Sequence, residues 1–493
     1  MRTRTEQVQA YRFVTRRIVS ALLSGEPETT ERPMRRFGMA IFGSSMVAAI
    51  VFAGVGVYGF INPTGSALDD PSIVIERESG ARFVYTKGKL HPVLNYTSAR
   101  LIVNSDNPAI RTVSAKSLRA YPRGPLVGIV NAPDALPDRR QLATGPWSVC
   151  SQPLSDGSQE YATQLIINDI PPGGEPLGDK ALLVIRQVGA NNVSRYLVWN
   201  GRRMFINQRS LSAIRLADVR ETEITGSLAN NIPVGPNLSV PRIDRAGQPG
   251  RLVADRSATI GQVFEASGQA YVLLQSGLAT IGQVMKDLLL ADGRTITTIS
   301  ANEAAAARSN DPEEKDFDPA GFPPTMPEVV HTDSPPAMVC AVHRLGSSEP
   351  SVTVMVYDAP SAKYPLDLNE ARGELQRTGL DGTRIANLVV VPSGQGALVK
   401  TLPAQGDTTL NTTTFLITDQ GIKYAFVRVS APEVQVALGY GGIAPIPVPN
   451  SLLSLLPVGP TLDKRVAETF VRDVVTTPRA PSPTPVESTT PAG

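Results

Sequence analysis

Residues 38–61 form a run of 24 positions without a single charge. At about 1.5 Å per residue a helix over this run reaches roughly 36 Å, enough to cross a hydrocarbon core of about 30 Å with some tilt. Phe37 lies at one end and Tyr58 and Phe60 at the other, where membrane interfaces place aromatic rings. An h-region of a cleaved signal has only 7–15 residues, so the pattern predicts a retained anchor, although Gly65-Ser66-Ala67 resembles a cleavage site. Ser45, Ala49, Ala53 and Gly56 add a stripe of small residues to this span. Gly54-Val-Gly-Val-Tyr-Gly59 fits G-x-G-x-x-G but lies inside the apolar run, without the strand and phosphate-facing helix start that a dinucleotide site needs.

Upstream, Val8, Tyr11, Ile18 and Leu22 share one helical face with Val14 on its flank, while Arg12, Arg16 and Arg17 occupy other faces. This reads as a short basic amphipathic helix suited to a lipid surface or a partner protein. Residues 1–36 hold eight Arg and four Glu, with Arg32, Arg35 and Arg36 directly before the span and Asp69 and Asp70 beyond it. The positive-inside rule then predicts a cytoplasmic N-terminus and an outer location for residues 62–493.

Beyond the span the pattern changes to short alternating strands, turns and short helices. The same order of hairpin and helix recurs four times. The first copy has strands over 72–76 and 82–86, turns at Ser79-Gly80 and Gly88, and a helix over 95–103. The second runs from 181 to 216, with Asn200-Gly201 as a hairpin turn and a helix over 208–216. The third covers 259–292, with a helix over 284–291 and Thr-Ile-Gly-Gln-Val at both 259–263 and 280–284. The fourth starts at Thr413, turns at Asp419-Gln-Gly421 and continues over 423–429. Phe83, Tyr196, Tyr271 and Tyr424 sit at similar places in these copies. A ββ(β)α unit of about 35 residues cannot bury its apolar face alone, so each copy must pack on something else.

Two β-rich stretches between the copies predict a split core. The first has candidate strands over 126–130, 147–151 and 162–167; the second has them over 338–344, 352–357, 386–391 and 397–401. The expected architecture is a single-pass membrane protein whose α+β, β-rich outer region has four small repeat units around a central core. Its segments are a basic cytoplasmic stretch (1–36), the membrane helix (37–61), the first repeat (70–104), the first half of the core (105–178), the second repeat (179–218), a linker (219–256) and the third repeat (257–293). Then come an exposed connector (294–336), the second half of the core (337–403), the fourth repeat (404–463) and a C-terminal extension with a Pro-rich tail (464–493). The connector is expected because 309–336 holds seven acidic residues and seven prolines.

Composition supports this picture. Among 493 residues are 41 Gly and 42 Pro, above the usual combined share of about 12% and suited to many turns. Hydrophobic residues at 42% support a folded body, and a net charge of +2 gives no reason to expect nucleic acid. Only two cysteines occur. Cys150 and Cys340 fall on expected strands of the two core halves, outside the membrane, where an oxidising compartment favours a disulfide across 190 residues. The alternative is a metal set from Cys340-Ala-Val-His343 with His331 and Cys150.

Catalytic motifs do not emerge. No G-x-S-x-G or H-E-x-x-H occurs, and the nearest approach to a P-loop, Gly88-Lys89, is followed by Leu90 and has Phe83 where the first Gly belongs. His91, before Pro92, reads as structural. No catalytic, cofactor-binding or metal residue is assigned.

Several motifs, taken together and in order, resemble the EccB component of actinobacterial type VII (ESX) secretion systems. They are Thr5-x-Gln-Val-x-x-Tyr-Arg-Phe13 with Arg16-Arg17, then Ser79-Gly-Ala-Arg-Phe-Val-Tyr85 and His91-Pro-Val-Leu-Asn95. Thr97-Ser-Ala-Arg-Leu-Ile102, Arg123-Gly-Pro-Leu-Val-Gly-Ile129, Trp147-x-Val-Cys150 and Leu456-Pro-Val-Gly-Pro-Thr-Leu-Asp463 follow. The resemblance implies an inner-membrane subunit of a larger, homo-oligomeric export complex, with the EccC motor ATPase, EccD and EccE as partners and the mycosin protease nearby. It implies a cytoplasmic helix that contacts partners, here Val8, Tyr11, Phe13, Arg16, Arg17 and Ile18, and a periplasmic body of four repeats around a core held by one disulfide. Some members carry an ATPase label, which makes ATP an implication of the label alone. An envelope hydrolase and a cell-wall-binding anchor are the competing classes.

Overall fold

The computed structural model describes residues 4–25, 33–61, 68–154, 160–189, 192–330, 336–346, 351–366, 385–402 and 412–471. The expected Pro-rich tail, His331, Arg32 and the start of the expected fourth repeat lie outside them. The chain divides into two units, residues 1–70 with 114–120, and 71–113 with 121–493.

In the first unit, Arg4–Ser24 is one helix and Pro33–Ile61 another. Phe37–Val57 has a mean hydropathy of 2.1, and none of it is buried in the structure. It is long and apolar enough to cross a bilayer.

Among the described residues the second unit contains five sheets. Four of them have four strands each and one shared plan: a three-stranded antiparallel meander, a helix, and a fourth strand that returns parallel to the first. In the first sheet the spatial order is Lys89–Pro92, Arg82–Thr86, Ser72–Glu76, Ile110–Val113, with the helix Tyr96–Val103 in the crossover. The second has Arg202–Phe205, Asn192–Trp199, Leu182–Gly189 and Thr222–Glu223, with helix Gln208–Ala213. The third has Leu278–Ile281, Gln269–Leu273, Val263–Ala266 and Ile296–Thr298, with helix Gln283–Ala291. The fourth has Lys423–Ala425, Thr414–Ile417, Ala397–Thr401 and Ile446–Val448, with helix Ala431–Ala437.

Local chemistry accounts for the helix starts. Asn95 and Asn207 have extended backbones and accept from the amides of Ser98 and Ser210, relieving one unpaired N–H at each start. The third helix begins at Gly282, which has no side chain to cap it, and Asp318 Oδ2 accepts from the Gly282 amide at 2.8 Å instead. The fourth has Pro432 in its first turn, where the missing N–H costs nothing.

The fifth, central sheet has six strands in the order Leu388–Val390, Tyr161–Ile167, Trp147–Pro153, Met338–Arg344, Ser351–Tyr357, Glu175–Pro176. One of its faces shares a core with the second and fourth sheets, through Trp147, Val149, Ala341, Val184, Val198, Val399 and Leu452. The second and third sheets share another core, with Leu197 and Met204 against Val284 and Leu288. The first and fourth share a third, with Leu101 and Ile129 against Tyr424 and Val434. The second unit is therefore two pairs of sheets, first with fourth and second with third, on a central sheet. The second pair is a chain excursion between two central strands. Its entrance and exit are stitched together: the Ala181 amide donates to Glu328 O and the Val330 amide to Ala181 O, both at 2.8 Å.

Several expected boundaries move. Each unit has a closing parallel strand that the ββ(β)α reading lacked, so 105–178 and the linker 219–256 give up Ile110–Val113 and Thr222–Glu223 to the first and second sheets. Ala397–Thr401 pairs with Thr414–Ile417 and belongs to the fourth sheet, not to the core. The expected strand over 126–130 is a segment that meets the first sheet at Val93↔Val127. The acidic connector is integrated as well. Ile296–Thr298 closes the third sheet, Thr280 pairs with Asp316, and Phe322 and Val329 are buried. Its carboxylates serve locally: Glu303 completes a capping box, Asp311 caps a turn, and Glu314 accepts from the amide and hydroxyl of Ser276.

Candidate functional site

Cys150 and Cys340 are opposite one another on adjacent central strands and are joined as a disulfide. Both are fully buried, against Ile166, Met338 and Tyr357. The bond closes the seam between the two core halves. The metal alternative does not assemble here. Cys340 and His343 lie three apart on one strand, which sends their side chains to opposite faces. No cluster of three metal-binding side chains occurs among the described residues.

His343 occupies the opposite face, between Trp147 and Val352 in register. It is 3% exposed and neither ring nitrogen has a hydrogen-bond partner. Burial pushes its pKa down to about 4. It is therefore a neutral ring at physiological pH.

The residues expected to meet partners lie on Arg4–Ser24. Val8, Tyr11, Phe13 and Ile18 are 51%, 75%, 61% and 54% exposed. Arg16 is exposed too, and the Arg17 guanidinium lies 5.8 Å from the Phe13 ring centroid. The helix thus carries solvent-facing apolar and aromatic side chains among arginines.

Two clefts of the second unit lie between its sheets and helices. One, of about 420 Å³, lies between helices Gln208–Ala213 and Gln283–Ala291. Its Arg209 and Arg294 stand 3.7 and 3.8 Å from the same Asp292 carboxylate, and Arg242 lines it as well, so the cleft keeps a positive balance. The other, of about 480 Å³, lies where the central, second and fourth sheets meet and is lined mainly by amides and hydroxyls. Neither cleft is lined by a lysine. Gly88-Lys89 is the tip of a hairpin, with Gly88 at φ 72°. These sites do not fit a triphosphate cradle, which needs amides and a lysine converging on the phosphates.

A feature missed by hairpin reading recurs at the sheet edges. After each closing strand the chain returns and runs parallel beside the third meander strand, at Leu90↔Arg123, Arg203↔Val234, Leu278↔Arg308 and Lys423↔Val458. In three of the four this residue begins an x-Gly-Pro triplet: Arg123-Gly-Pro, Val234-Gly-Pro and Val458-Gly-Pro. At two of the three the glycine sits against a ring. A Cβ at Gly459 would stand 2.3 Å from the Tyr424 ring, and one at Gly124 would stand 2.3 Å from His91.

The family model "Type VII secretion system ESX-1, transport TM domain B" matches residues 1–477. The ESX-3 secretion system ATPase EccB3 of Mycolicibacterium smegmatis is 27% identical, over 93% of this chain and 89% of its own. The ESX-5 secretion system ATPase EccB5 of Mycobacterium tuberculosis is 27% identical, over 94% and 92%. A chain of the intact ESX-5 inner membrane complex superposes with a TM-score of 0.65 at 25% identity, covering 99% of this chain and 98% of that one. The EccB3 dimer of the ESX-3 core complex shares the fold, with a TM-score of 0.63 at 24% identity. A family match across nearly the full length, with a fold that agrees from the apolar helix to the last sheet, places the chain: it belongs to the EccB family of type VII (ESX) secretion systems.

Proposed function

We propose that this protein is a structural subunit of a type VII secretion inner-membrane complex and takes part in protein export. The observation that carries this reading is the near-complete agreement of its fold with a chain of an intact ESX-5 inner membrane complex. The chemistry of the chain fits a scaffold. One apolar helix anchors it, and the outer body is cross-braced by shared cores and a buried disulfide.

The arginine-rich N-terminal segment stays in the cytoplasm and the five-sheet body stands in the periplasm, because positive charge flanks the span on one side only. Val8, Tyr11, Phe13, Arg16, Arg17 and Ile18 dock on a neighbouring subunit of the EccC, EccD or EccE type, and the periplasmic body meets further copies of itself and a mycosin protease. The relatives' names include the word ATPase. The scaffold role is the reading that the agreement with a membrane-complex subunit supports.

Purification of the tagged full-length protein from membranes in mild detergent, read by mass spectrometry, tests this. Recovery of EccC-, EccD- and EccE-like subunits in one assembly is expected. Purification of the protein alone, or with wall components only, overturns the reading.

A further inference from the structure

Beyond the apolar helix, positive charge is concentrated early in the chain. Residues 71–130 hold nine Lys and Arg against three Asp and Glu, whereas residues 131–493 hold 30 against 36. Some of these cations have internal tasks. Arg82 pairs with Asp134 at 2.5 Å, and Arg100 donates to the carbonyls of Ala437 and Asp106. Lys87 and Lys89 are exposed and have no ion-pair partner among the described residues. Lys87-Gly88 is the turn between strands Arg82–Thr86 and Lys89–Pro92, with φ 51° and 72°. The matching turn of the second sheet is Asn200-Gly201. Asn suits that left-handed position better than Lys does, so the first sheet carries a cation at its tip against local preference.

The same edge has an apolar side. Exposed Arg123 runs beside Leu90, with its guanidinium 4.5 Å from the Phe83 ring centroid. A cleft of about 390 Å³ opens here, lined by Lys87, Lys89 and His91 and, opposite them, by Ile102, Val127 and Phe470. Phe470 is 57% exposed. Glu468 is the one carboxylate of the lining among the described residues, and Lys464 stands 4.0 Å from it. Cations beside an exposed aromatic ring match the headgroup zone of a bilayer, where the ring enters the interface and the ammonium groups meet phosphates. Chain connectivity favours the same occupant. Ten residues, Asn62 to Pro71, join the apolar helix to the first strand, and a chain of that length reaches at most about 40 Å.

We propose that this hairpin edge, Lys87, Lys89 and Arg123 with Phe470, docks on the anionic phospholipid headgroups of the membrane that holds the apolar helix. The proposal rests on the anchored-subunit reading above. It adds a second, salt-sensitive hold on the bilayer, built from the first sheet and independent of partner subunits.

The test is hydrogen exchange of the purified full-length protein in nanodiscs of phosphatidylcholine, alone or with about 30% phosphatidylglycerol. Insertion into either disc reads the anchor, and the difference between the discs reads this proposal, so the two can fail separately. Residues 86–91 and 468–471 should exchange at least about threefold more slowly in the anionic discs, and about 0.5 M NaCl should abolish the difference. The double variant Lys87→Glu, Lys89→Glu should abolish it too, with unchanged thermal melting because both side chains are exposed. Arg77→Glu reverses an exposed charge in the turn after Ser72–Glu76 and should leave the difference intact. Equal exchange in both discs, or an equal loss with Arg77→Glu, overturns the proposal. The same slowing in phosphatidylcholine discs on addition of glycerol phosphate assigns the cleft to a soluble phosphate and overturns it as well.

Discussion

Cys150 and Cys340 face each other across two antiparallel strands with Cα atoms 4.0 Å apart, and 190 residues of chain run between them. The second and third sheets are inside that loop. In the chain-entropy account, a loop of this length contributes about 5 kcal/mol. Replacing both cysteines by Ser should lower the denaturation midpoint accordingly, with the loss visible in urea titrations of the outer body. Because both sulfurs are buried, mild reductant should act on the native wild-type protein only slowly.

A second prediction concerns pH. The folded pKa of His343 is about 4, below the ordinary 6.5, because burial disfavours the charged ring. Below about pH 6.5 the unfolded chain binds a proton that the native chain refuses. Stability from this residue is therefore complete above pH 6.5 and is lost as pH falls toward 4, by up to about 3 kcal/mol. His343→Leu should flatten that region of the profile. Urea midpoints at pH 4.5 and 7.5 for both proteins measure it, and equal slopes would refute the assignment.

Glycines at the sheet edges should differ in sensitivity. Gly459→Ala drives a methyl into the ring of buried Tyr424, an overpacking that costs about 1–3 kcal/mol. Gly124→Ala meets the half-buried His91 ring, which has room to turn, so the cost should be smaller. Thermal melts of the two variants rank them.

Arg100 holds the first sheet's helix to the fourth's, with Nε donating to Ala437 O at 2.8 Å and Nη2 to Asp106 O at 3.0 Å. Arg100→Ala should destabilise by about 1–3 kcal/mol for each carbonyl left unpaired. Hydrogen exchange should accelerate in 96–103 and 431–437 while the central strands stay protected.

Tyr11 and Phe13 are 75% and 61% exposed, so their replacement by Ala should leave the melting of the outer body unchanged. Co-purification of membrane partners should fall. An undiminished assembly would remove this helix from the docking surface.

Local signals account for what the sequence discloses of this fold. Asn200-Gly201 announces a hairpin because two positive-φ residues are needed between strands, and both have them. Asn95 and Asn207 announce helix starts for equally local reasons. The closing strands are different. Thr222–Glu223 has two residues, too few to show alternation, and its parallel pairing with Leu182–Gly189 depends on a crossover. Ala397–Thr401 looks like any core strand, and only its partner assigns it to the fourth sheet. The cleft residues come from Tyr161 to Leu455 and have no common motif; three sheets had to be placed before Asn231 and Arg186 became neighbours of one space. The x-Gly-Pro triplets are a readable signal of another kind, since they mark where the chain returns to an edge.

The stitch between Ala181 and Val330 means that the chain leaves and rejoins the central frame at neighbouring points. The second sheet of the excursion is fixed to that frame by a shared core, whereas the third packs on the second. Length changes in the third sheet's part of the span therefore need not shift Cys150 against Cys340, while changes in the second sheet's buried face do.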